Sequence, residues 1–254
     1  MTAAKLAPLL ESRKRILPAL ELNARERDKG GSSTNLLAGS RRFIGVAEYL
    51  VNGDAEACRR ELAASAQGRL LLLDRFDGGG DVSSSYASMA GGYQALLDAL
   101  AAADDDLAHS LASKIGGREA IEAKNDHPFD LAMGYALKAA VLQSSDLNLR
   151  LTQLAEQLEA AGNRDFKGYA AALSMLDSGD APNVDAALAM IVEGHRRQSK
   201  GRGVFNGRED EGLCVWGIAV ANLLISRGRT VTFDDPLLPQ SLLRALPEKK
   251  PSQG

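Results

Sequence analysis

The stretch DLAMGYALKAAVLQSSDLNLRLTQLAEQLEAAGN, residues 130–163, decides the fold class. Its apolar residues recur with the spacing that places them on one face of a helix. We expect Asp130 to cap a first helix over 131–143 and Asp146 to begin a second one that ends before the turn at 162–163. Two helices joined by so short a turn pack against each other as an antiparallel αα-hairpin.

The same pattern extends in both directions along the chain. Upstream, a short turn at 52–54 separates two predicted helices, which we expect to form another αα-hairpin. The full set of predicted helices covers residues 3–22, 35–51, 55–73, 86–103, 104–116, 131–143, 146–161, 165–176, 184–197 and 211–226. The sequence therefore predicts an all-α fold of about ten helices, packed as antiparallel αα-hairpins in a helical-repeat-like array, with no significant β-sheet.

Prolines and polar residues limit the first helices. Pro8 and Pro18 are expected to split the first segment into two short helices, because proline removes a backbone donor and clashes with the preceding turn. The polar stretch at 24–34 is expected to be a loose loop. Ser33 or Thr34 is available at its end to cap the helix that follows.

We expect a single all-α domain over residues 1–246, since a chain of 254 residues can bury one large core. The domain can be divided into an N-terminal half, 1–128, and a C-terminal half, 129–246. Residues 247–254 are expected to form a disordered tail. The only strand-like piece, 230–233, is too short to make a sheet.

The composition excludes several classes of protein. Hydrophobic residues make up 45% of the chain and the formal net charge is -3, so a nucleic-acid partner is not expected. The most apolar stretch, 212–225, is shorter than the roughly 20 residues that cross a bilayer. Two widely separated cysteines, Cys58 and Cys214, do not make a disulfide framework, which indicates a reducing compartment. The N-terminus lacks the unbroken apolar stretch of a signal peptide, so a cytoplasmic location is expected.

The three histidines, His109, His127 and His195, offer little chemistry. None lies near another histidine or a cysteine at metal-ligand spacing, so no metal and no cofactor are expected. His127 lies beside Asp126 and Asp130 and could act as a general acid or base, but a loop histidine with local hydrogen bonds is the commoner arrangement. His195 lies at a helix end, where a cation suits the helix dipole.

Two further features have structural explanations. Trp216 lies on an apolar helix and is expected to be a core residue rather than an anchor for a partner. The glycine-rich segment at 77–81 has neither the lysine nor the spacing of a phosphate-binding loop, and is expected to be a flexible turn.

Three acidic clusters are candidates for contact with a cationic partner. They lie at helix ends or in loops, where helix capping explains part of the negative charge and a docking surface is the alternative explanation. The candidate partner-binding residues are Asp74, Asp77, Asp81, Asp104, Asp105, Asp106, Glu209, Asp210 and Glu211.

The segment GLCVWGIAVANLLISRGRTVTFDDPLLPQSLL, residues 212–243, resembles the end of the immunity protein 49 family of bacterial polymorphic toxin systems. The shared features are an apolar helix ending in Arg-Gly at 227–228, an extended piece with two aspartates at 234–235, and the ending Leu-Pro-x-x-Leu-Leu at 238–243. The resemblance covers roughly 160–243, more loosely before the quoted segment.

This resemblance implies an all-α protein that binds a cognate toxin, the C-terminal domain of a secreted effector, and blocks its active site. It brings no catalytic residues, so the protein is expected not to be an enzyme. One alternative is a helical scaffold or regulator unrelated to toxins, which would share the same composition. Another is a hydrolase that reverses toxin damage, with a site assembled from separated residues near His127.

Overall fold

The computed structural model of the protein describes residues 3–160, 162–176 and 183–245. Within these ranges the chain forms eleven α-helices and no strand, so the prediction of an all-α fold is confirmed. The helices are α1 Ala3–Glu26, α2 Ser32–Asn52, α3 Ala55–Asp77, α4 Met89–Ala101, α5 Asp105–Lys114, α6 Glu119–Asn125, α7 Pro128–Leu142, α8 Leu147–Leu158, α9 Lys167–Ser174, α10 Val184–Gln198 and α11 Val215–Ser226.

The first helix contains both prolines and is not divided by them. Pro8 and Pro18 lie inside the single helix α1, so the prediction of two short helices is wrong. Both prolines are exposed. The carbonyl groups that lose their hydrogen-bond donors can therefore bind water, which allows the helix to continue past each proline.

The loop predicted at 24–34 is mostly ordered as helix. A short 3₁₀ turn, Lys29–Gly31, leads directly into α2. The Asp28 carboxylate accepts hydrogen bonds from the backbone N–H groups of Ser33 (2.8 Å) and Thr34 (3.2 Å). An aspartate that precedes the helix thus binds its free backbone donors, and neither Ser33 nor Thr34 does so as predicted.

Helices α2 and α3 form an antiparallel pair. A methyl group at Gly45 would lie 3.0 Å from the backbone oxygen of Cys58, and one at Gly68 would lie 3.3 Å from the Cβ of Ala38. Residues late in α2 therefore face residues early in α3, and early residues face late ones. The small side chains let the two backbones approach closely.

Helices α9 and α10 pack in the same antiparallel sense. A methyl group at Gly168 would lie 2.6 Å from the backbone nitrogen of Ile191, and one at Gly194 would lie 1.9 Å from the backbone oxygen of Asp165. These distances are below van der Waals contact, so both positions require glycine. The turn before α9 is pressed directly onto α10.

Helix α11 lies at the centre of the structure, where ten of its twelve residues are buried. Asn222 is the polar residue in its middle, and its side-chain amide donates a hydrogen bond to the backbone oxygen of Leu100 (3.0 Å). The Asn222 carbonyl accepts one from the backbone of Arg244 (2.9 Å). Asn222 thereby ties the end of α4 to the C-terminal segment.

Among the described residues no helix is both long and apolar enough to cross a lipid bilayer.

One core cluster contains buried residues from Val46 to Leu243 and so draws on both sides of residue 128. A second, small cluster of Leu10, Ile44 and Ala47 lies beneath α1. Residues 247–254, which were predicted to be a disordered tail, lie outside the described ranges.

The two cysteines give a direct test of core packing. Cys58 and Cys214 are both fully buried, and burial raises the pKa of each thiol to about 12. Because the thiolate is the reactive form, we expect neither thiol to react with a disulfide reagent in the folded protein at pH 8. Two equivalents should react after unfolding in denaturant, which serves as the control. Rapid modification of the folded protein would contradict this packing.

Candidate partner-binding pocket

The first acidic cluster holds the loop that follows α3. Asp74 forms an ion pair with Lys114 (2.9 Å), and Asp77 forms one with Arg118 (2.6 Å). Asp81 accepts a hydrogen bond from the backbone of the turn before α2 at 3.0 Å. These carboxylates therefore fasten the glycine-rich turn to neighbouring elements, and their contact with a partner stays a prediction.

The second cluster lies at the opposite end of α5 from Lys114. Asp104 caps α5 by accepting a hydrogen bond from the backbone N–H of Leu107 (3.0 Å). Both Asp105 oxygens bind Arg244, at 2.7 and 2.8 Å. The exposed Asp106 carboxylate makes no hydrogen bond or ion pair within the described residues. Asp105 and Asp106 border a cavity of about 310 Å³.

The third cluster is partly internal. Arg42 binds Glu209 (2.6 Å), Asp210 (2.9 Å) and Asp98 (3.0 Å). Asp210 is only 2% exposed, so it lies in the interior and not on a surface that a partner could reach. Glu211 accepts a hydrogen bond from the backbone four residues before it. The sequence pattern predicted Asp210 to lie at the surface, because its buried cation, Arg42, is distant in sequence. Contact of Glu209 and Glu211 with a partner stays a prediction.

The charges in this buried network depend on one another. Burial alone would lower the pKa of the Arg42 guanidinium, but the surrounding carboxylates raise it above its usual value. Burial raises the pKa of Asp98, against the opposing effects of Arg42 and the hydrogen bond from Ser65. The network joins α2 and α4 to the 3₁₀ turn Glu209–Gly212.

Aromatic rings are concentrated beside this network. Six of the twelve Phe, Tyr and Trp residues of the chain form one cluster, with neighbouring ring centroids 5.0 to 6.4 Å apart. The cluster consists of Tyr93, Phe129, Phe166, Tyr169, Phe205 and Trp216. All of these except Tyr169 line a pocket of about 300 Å³ that opens to solvent.

The pocket is assembled from separated parts of the chain. Its walls come from α4, the start of α7, the turn before α9, the loop at 199–208 and the start of α11. Its polar lining residues are Gln94, His127, Asp130, Asn163, Gln198 and Arg208. We call this the aromatic pocket. The acidic clusters did not predict it, since none of the nine candidate residues lines it.

Two carboxylates near Tyr93 have no cationic partner, and one of them, Asp130, lines the aromatic pocket. Asp130 accepts a hydrogen bond from the Tyr93 hydroxyl (2.8 Å), and Asp126 accepts two from the start of α4 (2.8 and 2.9 Å). Neither forms an ion pair within the described residues. Burial raises the pKa of Tyr93 well above its usual value, and the charges of Asp130 and Asp126 raise it further. Asp130 therefore brings a carboxylate without an ion-pair partner to the wall of the pocket.

His127 has a structural role at the rim of the pocket. Its Nδ1 accepts a hydrogen bond from the backbone N–H of Phe129 (3.2 Å), so His127 caps α7. The prediction that Asp130 caps this helix is wrong, because the helix begins at Pro128 and Asp130 lies in its first turn. Because Nδ1 accepts this hydrogen bond, Nε2 is the ring nitrogen left to contact another group.

His195 lies behind the pocket, with its ring stacked on Phe205 at 4.3 Å. Burial lowers the pKa of His195, so the ring is neutral at pH 7. The sequence interpretation of His195 as a cation at a helix end is therefore wrong, because the helix end packs inward. Within the described residues no group of three or more His, Cys, Asp or Glu side chains could hold a metal ion.

Trp216 is not a fully enclosed core residue. One side of the indole packs against Tyr93 (5.6 Å between centroids) and Phe205 (5.4 Å), and the ring also lines the open pocket. It lies within the segment whose sequence resembles the immunity protein 49 family. No protein-family model, curated protein or solved structure matches this chain, so that resemblance rests on the motifs quoted above.

Proposed function

We propose that this protein is an immunity protein, which binds a cognate bacterial toxin and neutralises it by covering the toxin's active site. The observation that carries the proposal is the solvent-open aromatic pocket. Binding energy at protein interfaces concentrates where aromatic side chains form a well-packed pocket for a partner's residue. The resemblance of residues 212–243 supplies the class of partner, the C-terminal toxin domain of a secreted effector.

To neutralise a toxin by covering its active site, the protein needs a large contact area and no catalytic residues. A stable specific interface buries about 1,600 Å² in total, far more than one pocket provides, so the pocket serves as an anchor within a broader surface. Immunity against a lethal enzyme also requires nanomolar affinity or better, on the order of 12 kcal/mol. The exposed Asp106 carboxylate is available to a cationic surface of the toxin, in keeping with the acidic contact predicted from the sequence.

Val204 provides a test of the pocket that leaves the core intact. It is 51% exposed and lies on the pocket lining. Val204→Arg would place a bulky cation at the opening, and we expect toxin affinity to fall by at least about tenfold, with a change in unfolding free energy below about 0.5 kcal/mol. Titration calorimetry and chemical unfolding measure the two quantities.

The matched control is Leu149→Arg, because Leu149 is equally exposed at 56% and does not line the aromatic pocket. This variant should bind the toxin as the unaltered protein does. Equal affinity of both variants would show that the aromatic pocket is not part of the interface.

The proposal as a whole is tested by protection. The C-terminal region of the protein encoded by the upstream gene is expressed in a bacterium, with and without this protein. Restored growth together with co-purification of the two proteins is the expected result. Toxicity without rescue would refute immunity, and absence of toxicity would favour a helical scaffold or regulator unrelated to toxins.

One observation favours a second candidate, a hydrolase that reverses toxin damage: His127 and Asp130 line the same pocket. Its signature would be restored growth without co-purification. His127→Ala separates the two functions, since a hydrolase that depends on this ring would lose protection while its fold stayed intact.

A further inference from the structure

We propose that the guest of the aromatic pocket is a positively charged side chain, lysine or arginine, presented by the partner protein. This inference rests on the proposed function, because it names the chemistry of the group that the toxin inserts. Two properties of the pocket lead to it. Aromatic rings line its wall, and an unpaired carboxylate lies beside them.

The aromatic rings that line the pocket suit a cation. The Trp216 indole lies near Phe166 (6.0 Å between centroids) and Phe205 (5.4 Å), and all three line the pocket. The face of an aromatic ring carries negative partial charge and attracts ammonium or guanidinium groups within about 6 Å. Tryptophan attracts them most strongly, and removal of water from the site strengthens the attraction.

The unpaired charge lies on Asp130. One oxygen of this carboxylate accepts the hydrogen bond from Tyr93, and the other accepts none within the described residues. Asp126, next to it, has no ion pair in the same part of the chain either. A cationic guest would bring the missing partner for Asp130, and hydrogen bonds between ionised groups are the stronger kind.

The basic residues that line the pocket, Arg208 and His127, leave Asp130 without an ion pair. Arg208 lies on the lining, but its Nε is 3.8 Å from the Asp210 carboxylate, which opposes its charge. His127 uses Nδ1 to cap α7, which leaves Nε2 to contact another group. An anionic guest would have to lie against Asp130, whereas a cation finds that carboxylate already in place.

The pocket can be tested with a small probe because Trp216 is the only tryptophan of the chain. N-acetyl-arginine amide is titrated into the full-length protein while the tryptophan fluorescence is recorded. The neutral isostere N-acetyl-citrulline amide is the matched control. We expect a saturable change with the arginine probe and binding at least about tenfold weaker with the citrulline probe.

Asp130→Asn keeps the shape of the side chain and can still accept the hydrogen bond from Tyr93. It should weaken binding of the arginine probe about tenfold, and should weaken binding of the toxin to a similar extent. Glu156→Gln removes an exposed carboxylate of α8 that lies outside the pocket and outside every proposed contact, and it should leave the affinity for the probe unchanged. Thermal unfolding of each variant verifies that the fold is retained.

Equal binding of the arginine and citrulline probes, or preferred binding of N-acetyl-glutamate amide, would overturn the inference. So would an Asp130→Asn variant that binds the toxin as tightly as the unaltered protein. If this protein protects against the toxin but the arginine probe does not bind as expected, the proposed immunity function is retained and the cationic guest is rejected. If the arginine probe binds as expected but no toxin is neutralised, the pocket chemistry stands and the immunity function fails.

Discussion

Replacing Arg42 with methionine is expected to lower the free energy of unfolding by about 3–5 kcal/mol. Arg42 is the cation that binds Asp98, Glu209 and Asp210, and its removal leaves carboxylates in the interior without a counterion. A charge buried without its partner costs far more than an exposed ion pair contributes. Urea unfolding of both proteins at pH 7 measures the difference.

The control for this variant is Arg60→Met. Arg60 pairs with a glutamate at 3.5 Å but its side chain is 63% exposed, so the loss should stay within about 1 kcal/mol. Losses of similar size in the two variants would show that the Arg42 network does not exist in solution.

The effect of Arg42→Met should also depend on pH with a definite sign. Burial raises the pKa of Asp98, and the guanidinium that opposes this rise is removed. Between its pKa in the unfolded chain and its higher pKa in the folded one, Asp98 binds more protons when folded. Stability therefore increases as the pH falls through that window. The deficit of the variant should be largest at neutral pH and shrink as the pH falls towards the usual pKa of an aspartate.

Gly194→Ala is expected to lower the free energy of unfolding by about 3 kcal/mol or more. The new methyl group would lie 1.9 Å from the backbone oxygen of Asp165 and cannot be accommodated by rotation of a side chain. The turn is also held in place, because the Asp165 carboxylate accepts hydrogen bonds from Arg197 and Gln198. Either α10 or the turn before α9 must shift, which disturbs the wall of the aromatic pocket at Phe166.

Gly39→Ala is the matched control for this substitution. Gly39 lies in α2, is exposed, and a methyl group there would meet no atom within 4 Å. Alanine forms helix more readily than glycine, so stability should rise by about 0.5–1 kcal/mol. If Gly194→Ala changed stability in the same direction, the close packing of α9 and α10 would be contradicted. Thermal and urea unfolding give the sign directly.

Helix positions could largely be predicted from the sequence, because the apolar spacing and the capping residues point to the same ends. The helix predicted at 104–116 is α5, with Asp104 as its cap. The exceptions have physical reasons. Helix α6 is seven residues long, too short to show a periodic pattern, and was not predicted. Asp28 binds the start of α2 from outside the helix, where local sequence rules place Ser33 or Thr34.

The aromatic pocket could not be predicted in the same way. Periodicity tells which face of α11 is apolar, but not whether neighbouring elements cover all of Trp216. The rings of Phe129, Phe166 and Phe205 come from three other parts of the chain, so their convergence follows from tertiary packing alone. Conversely, Asp210 was expected at the surface because charge usually lies there, and its burial depends on Arg42, 168 residues away.

In the loop at 199–208, the side chains at the opening of the aromatic pocket are not the ones that anchor the loop. It is fastened inward by the buried Phe205 ring and by a hydrogen bond from the backbone of Val204 to Gln198 (3.2 Å). The side chains of Val204 and Arg208 project from it at the opening of the pocket and contribute little to the core. Under the proposed function, substitutions at these two positions would alter which guest the pocket accepts while the fold is kept. The protein could then follow changes in the surface of its partner.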